Sequence, residues 1–183
     1  MSEWGSDGST AGLTLRPLTA EDVPFLRQML DAAVFWRPPR RSLLGRLRQR
    51  IVRPILRLIV RRYLALYHAG WGRAGDLGFV GEIDGQPVGA VWYRFFTTAS
   101  HGDGFIDEET PELAIAVRHA HRGRGIGRAL LLAIAEAARE SGVKRIGLSV
   151  DHDNPAKRLY ASVGYRAIGP DDKHGRMVLE LRE

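Results

Sequence analysis

The stretch Arg122-Gly123-Arg124-Gly125-Ile126-Gly127 sets three glycines among basic residues, just ahead of a long segment with an apolar stripe. Glycine lets a backbone adopt positive φ and come close to a ligand. A helix starting there points its unsatisfied N–H groups at the same spot. Arg122, Arg124 and Arg128 add positive charge. The chemistry this pattern suits is capture of a phosphate or pyrophosphate. The chain has no cysteine, which removes disulfides, thiolate metal sites and a cysteinyl acyl-enzyme. None of the six histidines stands in an HExxH pattern, so no metal is expected.

The elements that must position this loop follow from periodicity. Leu13–Leu18 reads as a strand, and Thr19 as the cap of a helix running to about Val34, with Glu21 and Asp22 in its first turn. Pro38-Pro39 breaks it. Leu77–Asp84 and Pro87–Phe96 read as strands joined at Asp84-Gly85, a hairpin signal. Thr97–Asp107 is loop and Glu112–Val117 a short apolar strand. Gly125–Ser141 is a helix whose stripe is Ile126, Leu130, Ala133, Ile134 and Ala137. Ile146–Val150 is a strand, Asn154-Pro155 opens a short helix ending near Gly164, and Tyr165–Ile168 and Met177–Leu181 are strands. The expectation is a mixed α/β domain over 13–183 with an antiparallel first half, and a parallel pair formed by the strand–helix–strand unit 112–150. Residues 1–12 read as a disordered tail.

With 183 residues, 44% hydrophobic and 26% charged, the composition is that of one ordinary globular domain. No apolar run reaches the length of a membrane span, and the N-terminus lacks the pattern of a signal peptide, so the expected location is cytoplasmic. The net charge of +6 is unevenly placed. Residues 37–62 hold ten arginines, and no Asp or Glu lies between Asp31 and Asp76. Leu44, Leu47, Ile51, Ile55 and Leu58 recur on one face and Arg46, Arg50, Arg53, Arg57 and Arg61 on another, with Pro54 as a kink. Such helices suit an anionic acceptor molecule, an anionic membrane surface or simply a solvated face. Nucleic acid is not expected, since no recognition motif accompanies the charge.

Three kinds of phosphate site compete. A P-loop requires Gly-Lys-Ser/Thr, whereas Gly127 is followed by Arg128-Ala129. A dinucleotide fold requires GxGxxG and more sheet than the 56 residues after Gly127 supply, although Asp151 stands where a ribose-binding acid would. The third is a coenzyme A site. There, Arg122–Gly127 resembles the acetyl-CoA motif of the GNAT superfamily of N-acetyltransferases, Arg/Gln-x-x-Gly-x-Gly/Ala. Leu113-Ala114-Ile115-Ala116-Val117 is similar to that family's fourth strand, and Asn154-Pro155-Ala156-x-x-Leu159-Tyr160-x-x-x-Gly164-Tyr165 to its second motif. The resemblance covers about 77–182 well and 13–34 loosely. It implies a mixed, mainly antiparallel sheet with one central parallel pair and helices on both faces, and an acceptor region built from about 37–70.

The resemblance further implies acetyl-CoA as cosubstrate and a small-molecule or peptide amine as acceptor, in a monomer or homodimer. Backbone amides of Arg122, Gly123, Arg124, Gly125, Ile126 and Gly127, with the Arg128 side chain nearby, should hold the pyrophosphate. Ile115, Ala116 and Val117 should pair with the pantetheine arm like an added strand, and Asn154 should contact the same arm. Tyr160 should stand near the thioester sulfur. Aminolysis of a thioester expels a thiolate, and a phenol protonated at neutral pH can serve it. The attacking amine must lose a proton, and Glu112 is the candidate base. Trp71, Trp92 and Tyr93 are candidates for an acceptor pocket or for the core.

Overall fold

The computed structural model describes residues 10–34, 63–169 and 175–181. The arginine-rich segment 37–62 and the tail up to residue 9 lie outside the described residues, and with them the amphipathic helices and most of the disordered tail expected above. Residues 10–12 make a turn, in which the Leu13 amide donates to the Thr10 carbonyl.

Strands β1 (Leu13–Pro17), β2 (Leu77–Ile83), β3 (Gln86–Arg94), β4 (Glu112–Val117), β5 (Arg145–Ser149), β6 (Arg166–Ala167) and β7 (Arg176–Glu180) form one sheet in the order β1-β2-β3-β4-β5-β7-β6. Every neighbouring pair is antiparallel except β4 and β5, as the strand–helix–strand unit requires. Asp84 and Gly85 both take positive φ, which gives the β2–β3 hairpin the twist its strands need. Helices α1 (Val23–Val34), α2 (Ile126–Glu140) and α3 (Ala156–Ser162) complete the fold.

The sheet is buried on both faces. Val91 and Tyr93 of β3 meet α2 residues such as Leu130 and Ile134, while Ala90 and Trp92 meet Leu26, Met29 and Leu30 of α1. This is why β3 reads as a near-continuous apolar run without polar alternation. On α2 the buried surface is wider than the expected stripe and includes Leu131, Ala135 and Ala138, because the helix lies across a sheet and not along a single groove.

The start of α1 also differs from the expected single helix. A 3-10 turn, Ala20–Asp22, precedes it. Asp22 accepts from the Thr19 amide at 2.9 Å and hydroxyl at 3.1 Å, and from two Arg16 nitrogens at 2.8 Å each. Arg16 also reaches Glu82 at 2.8 Å, tying β1, β2 and the helix entry together. The Arg16 guanidinium holds the Asp22 carboxyl down to about 2. Among the described residues no helix is long and apolar enough to cross a membrane.

Candidate active site

Among the described residues the parallel pairing of β4 with β5 is confined to its beginning, where Glu112 lies opposite Gly147 and the Gly147 amide donates to the Pro111 carbonyl at 2.9 Å. Ile115, Ala116 and Val117 continue to pair with Val91, Ala90 and Gly89 of β3. Their other edge, toward β5, carries no such register. Two parallel strands that part in this way leave backbone groups for an extended ligand, as in strand addition. Gly147 is needed at the fork: a Cβ there would lie 2.9 Å from Ile106 Cδ1 and 3.1 Å from the Gly104 carbonyl.

The glycine loop stands at the open end of that fork. A 3-10 turn at His119–His121 leads into Arg122, and Gly123 and Gly125 take φ of 74° and 77°, the left-handed region where a side chain is strained. Gly125 is the N-cap of α2, and the first intrahelical bond runs from the Ala129 amide to the Gly125 carbonyl. The amides of Ile126, Gly127 and Arg128 are therefore the unsatisfied first-turn donors. A Cβ added at Gly123 would meet nothing within 4 Å, so the backbone there is open to an anion. At Gly127 the reason is packing: its Cβ would lie 3.0 Å from Leu159 Cδ2, where α2 crosses α3.

The arginine side chains do not converge on the loop. Arg122 Nε donates to the Val117 carbonyl at 3.0 Å. Arg128 reaches the Ser162 carbonyl at 3.1 Å and hydroxyl at 3.2 Å, linking α2 to the end of α3. Arg124 lies 3.4 Å from His121 Nδ1.

The second motif is a local device for placing Tyr160. Asn154 Oδ1 accepts from the Ala156 amide at 3.0 Å and so opens α3. The helix closes with Gly164 at φ 102°. The Gly164 amide donates to Ala161 and the Tyr165 amide to Tyr160, both at 3.1 Å, which is the paired bonding of a Schellman end. That motif brings its last residue onto the third-from-last, and here the rings of Tyr160 and Tyr165 meet at 5.8 Å between centroids. Tyr160 is 8% exposed, in the core cluster beneath α2, and burial pushes its hydroxyl up to about 12.

Glu112 comes from the other face. Along β4, Leu113, Ile115 and Val117 point toward α2, whereas Ala114 and Ala116 pack on the α1 side with Glu112 in their phase. The two candidate catalytic side chains thus flank the fork from opposite faces of the sheet. Glu112 is 2% exposed. Burial raises its carboxyl above the ordinary range, and the hydrogen bond from Tyr67 opposes that shift.

Tyr67 and the machinery that holds it were not legible as functional in the sequence. Tyr67 sits in a 3-10 turn, Ala65–Tyr67, and its hydroxyl donates to Glu112 Oε1 at 2.6 Å. The segment after it is pinned by Arg94, which donates to the carbonyls of Leu66, Ala69 and Gly70 at 2.8, 2.9 and 3.3 Å. Arg94 also pairs with Asp76 at 2.5 and 2.8 Å, both side chains being at most 2% exposed. Trp92 and Tyr93 are core residues at 1% exposure, and Trp92 Nε1 donates to the Tyr67 carbonyl at 2.9 Å. Trp71 lies against the Arg94 guanidinium, 5.7 Å from it.

Removing one partner of a buried ion pair leaves the other charge uncompensated. Arg94→Met is expected to lower unfolding stability by about 3–5 kcal/mol, read by urea denaturation. A loss under about 1 kcal/mol would mean the loop is held by other contacts.

Comparison with known proteins bears on this geometry. The model of the acetyltransferase (GNAT) family matches residues 47–165. A mycothiol acetyltransferase from Thermobispora bispora is 38% identical over 88 residues, 48% of this chain and 29% of that protein, so the chain spans under a third of that relative. Solved structures share the fold at lower identity. PaiA N-acetyltransferase from Thermoplasma acidophilum, in complex with coenzyme A, has a TM-score of 0.58 at 16% identity, covering 92% of this chain and 98% of that one. YncA from Salmonella typhimurium, with acetyl-CoA, has a TM-score of 0.60 at 21% identity, covering 93% and 95%. The GNAT domain of S. lividans PAT has a TM-score of 0.60 at 23% identity, covering 91% and 89%. With the family model spanning well over half its length, and the forked sheet, glycine loop and α3 in the order that family leads one to expect, the chain belongs to the acetyltransferase (GNAT) family.

Proposed function

We propose that this protein moves an acetyl group from acetyl-CoA to a primary amine by direct attack in a ternary complex. The observation that carries the reading is the fork between β4 and β5, with unsatisfied amides at its open end and a buried phenol and a buried carboxyl on its two sides. The amides of residues 123–127 suit the pyrophosphate, the Arg122 amide being bonded to the His119 carbonyl at 3.3 Å, and Gly123 leaves them open. The edge of Ile115 and Ala116 toward β5 carries no register and suits the pantetheine arm, while the Val117 carbonyl beyond them is held by Arg122 Nε at 3.0 Å. Asn154, whose Oδ1 is committed to α3, contributes through the turn it builds and its remaining polar groups.

Glu112 takes a proton from the attacking amine. The neutral nitrogen then bonds the acetyl carbon, the carbon–sulfur bond breaks, and the second proton of the nitrogen passes to the departing sulfur, to which the Tyr160 hydroxyl donates a hydrogen bond. Holding both substrates in the fork supplies much of the rate. With no cysteine in the chain, no cysteinyl acyl-enzyme intervenes. The ten arginines of residues 37–62 support an acceptor that carries an anionic group. Turnover that falls steeply with added salt agrees with this, whereas binding to anionic vesicles assigns the arginines to a membrane surface instead.

A thermal melt tests the cosubstrate. Acetyl-CoA at about 100 times its dissociation constant adds about 2.7 kcal/mol, a rise of roughly 5–10 °C for a domain of this size. A shift with acetyl-CoA and none with NAD or ATP is expected. A shift with NAD alone would overturn the reading.

A further inference from the structure

The two oxygens of Glu112 are treated unequally. Oε1 accepts from the Tyr67 hydroxyl at 2.6 Å and from the Gly104 amide at 2.8 Å. Oε2 is buried with no hydrogen-bond partner among the described residues. A buried carboxylate oxygen in that state is unfavourable until a donor reaches it, and an incoming amine is such a donor.

The space around the pair is made by two glycines. A Cβ at Gly102 would lie 1.8 Å from the Tyr67 hydroxyl oxygen and 2.7 Å from Glu112 Oε2. A Cβ at Gly104 would lie 2.6 Å from Oε1. Neither position accepts a side chain while the Tyr67–Glu112 bond stands. Tyr67 is itself steadied from two sides. Phe96 meets its ring edge-on at 5.4 Å, and Tyr63 does so at 6.3 Å.

We infer that Tyr67 is a positioning residue for the base. Its hydroxyl, with the Gly104 amide, fixes Oε1 as an acceptor so that Oε2 is the atom that takes the proton of the amine. This rests on the reading of Glu112 as that base.

The groups facing Glu112 set the sign of the effect. Tyr67 and Tyr63 face it from the chain before β2, and His101 and Asp103 from the loop between β3 and β4. Arg94 is its register partner on β3, with its guanidinium taken up by Asp76. Burial and Asp103 raise the Glu112 carboxyl, and the Tyr67 and Gly104 donors and His101 lower it. Removing the Tyr67 hydroxyl withdraws a donor from the ionised form, so the base becomes available only at higher pH.

The test is an infrared titration of the carboxyl, with Glu112→Gln identifying its band, alongside CoA release from acetyl-CoA with a panel of primary amines. In Tyr67→Phe the midpoint is expected to rise by about one pH unit, with the acidic limb of kcat/KM following it. Tyr67→Met, which also removes the donor and leaves Oε2 untouched, is expected to give the same shift and serves if Tyr67→Phe does not fold. An unmoved midpoint overturns the inference. Undiminished turnover in Glu112→Gln overturns instead the reading on which it rests, and the two failures are thereby distinguished.

Discussion

Tyr160→Phe is expected to lower turnover by about two orders of magnitude while acetyl-CoA affinity stays within about threefold of wild type. The ring fills a buried position in the Schellman end of α3, and phenylalanine fills the same volume. What is lost is one hydroxyl. Burial pushes that hydroxyl up to about 12, so it is protonated throughout the neutral range. An ordinary thiol titrates near 8.5, below this phenol, so handing a whole proton to the sulfur is unfavourable. The role proposed for it is a charge-assisted hydrogen bond that strengthens as the sulfur gains charge in the transition state. The loss should therefore fall on kcat and leave binding alone. Steady-state CoA release and a binding isotherm measured on the same preparations check it. Turnover within about threefold of wild type would remove Tyr160 from the chemistry. Tyr165→Phe is the control, since the Tyr165 hydroxyl is buried without a partner among the described residues and its loss should leave kcat near wild type.

Gly125→Glu is expected to weaken acetyl-CoA binding by at least about a hundredfold. Gly125 holds φ 77° at the N-cap of α2, where any side chain adds about 1–2 kcal/mol of backbone strain. The added carboxylate would stand among the amides proposed to hold the pyrophosphate. Two like charges about 4 Å apart repel by about 4 kcal/mol at the dielectric of a partly exposed site, more than the stated loss requires. Gly125→Ala separates the contributions, since it carries the strain without the charge. Calorimetric titration with acetyl-CoA reads both variants. Retained affinity in Gly125→Glu would move the pyrophosphate away from the start of α2.

The parts of the site that are local in the chain were legible in the residues. The glycine loop before an apolar stripe, the Asn154 opening of α3 and the Gly164-Tyr165 closing each act through bonds spanning a few residues, so their spacing alone describes them. The hairpin at Asp84-Gly85 and the parallel pair were legible for the same reason, through turn chemistry and the length of the crossover. Element ends shifted where side chains competed with the backbone, as at Thr19, where Asp22 is drawn to Arg16 and the entry becomes a 3-10 turn.

Tertiary structure decided the rest. Which face Glu112 presents depends on the register that sets it opposite Arg94, and a shift of one residue would turn it toward α2. Its partner Tyr67 lies 45 residues away, and the Arg94–Asp76 pair that pins the intervening loop spans two strands. Gly102 and Gly104 look like ordinary loop glycines until Tyr67 and Glu112 are seen to occupy the space their side chains would fill. The residues alone gave away the glycine loop, the helix that carries Tyr160 and the family, because these rest on short-range spacing. The environment of the carboxyl came only with the fold, because a buried hydrogen bond between distant segments leaves no period in the chain that makes it.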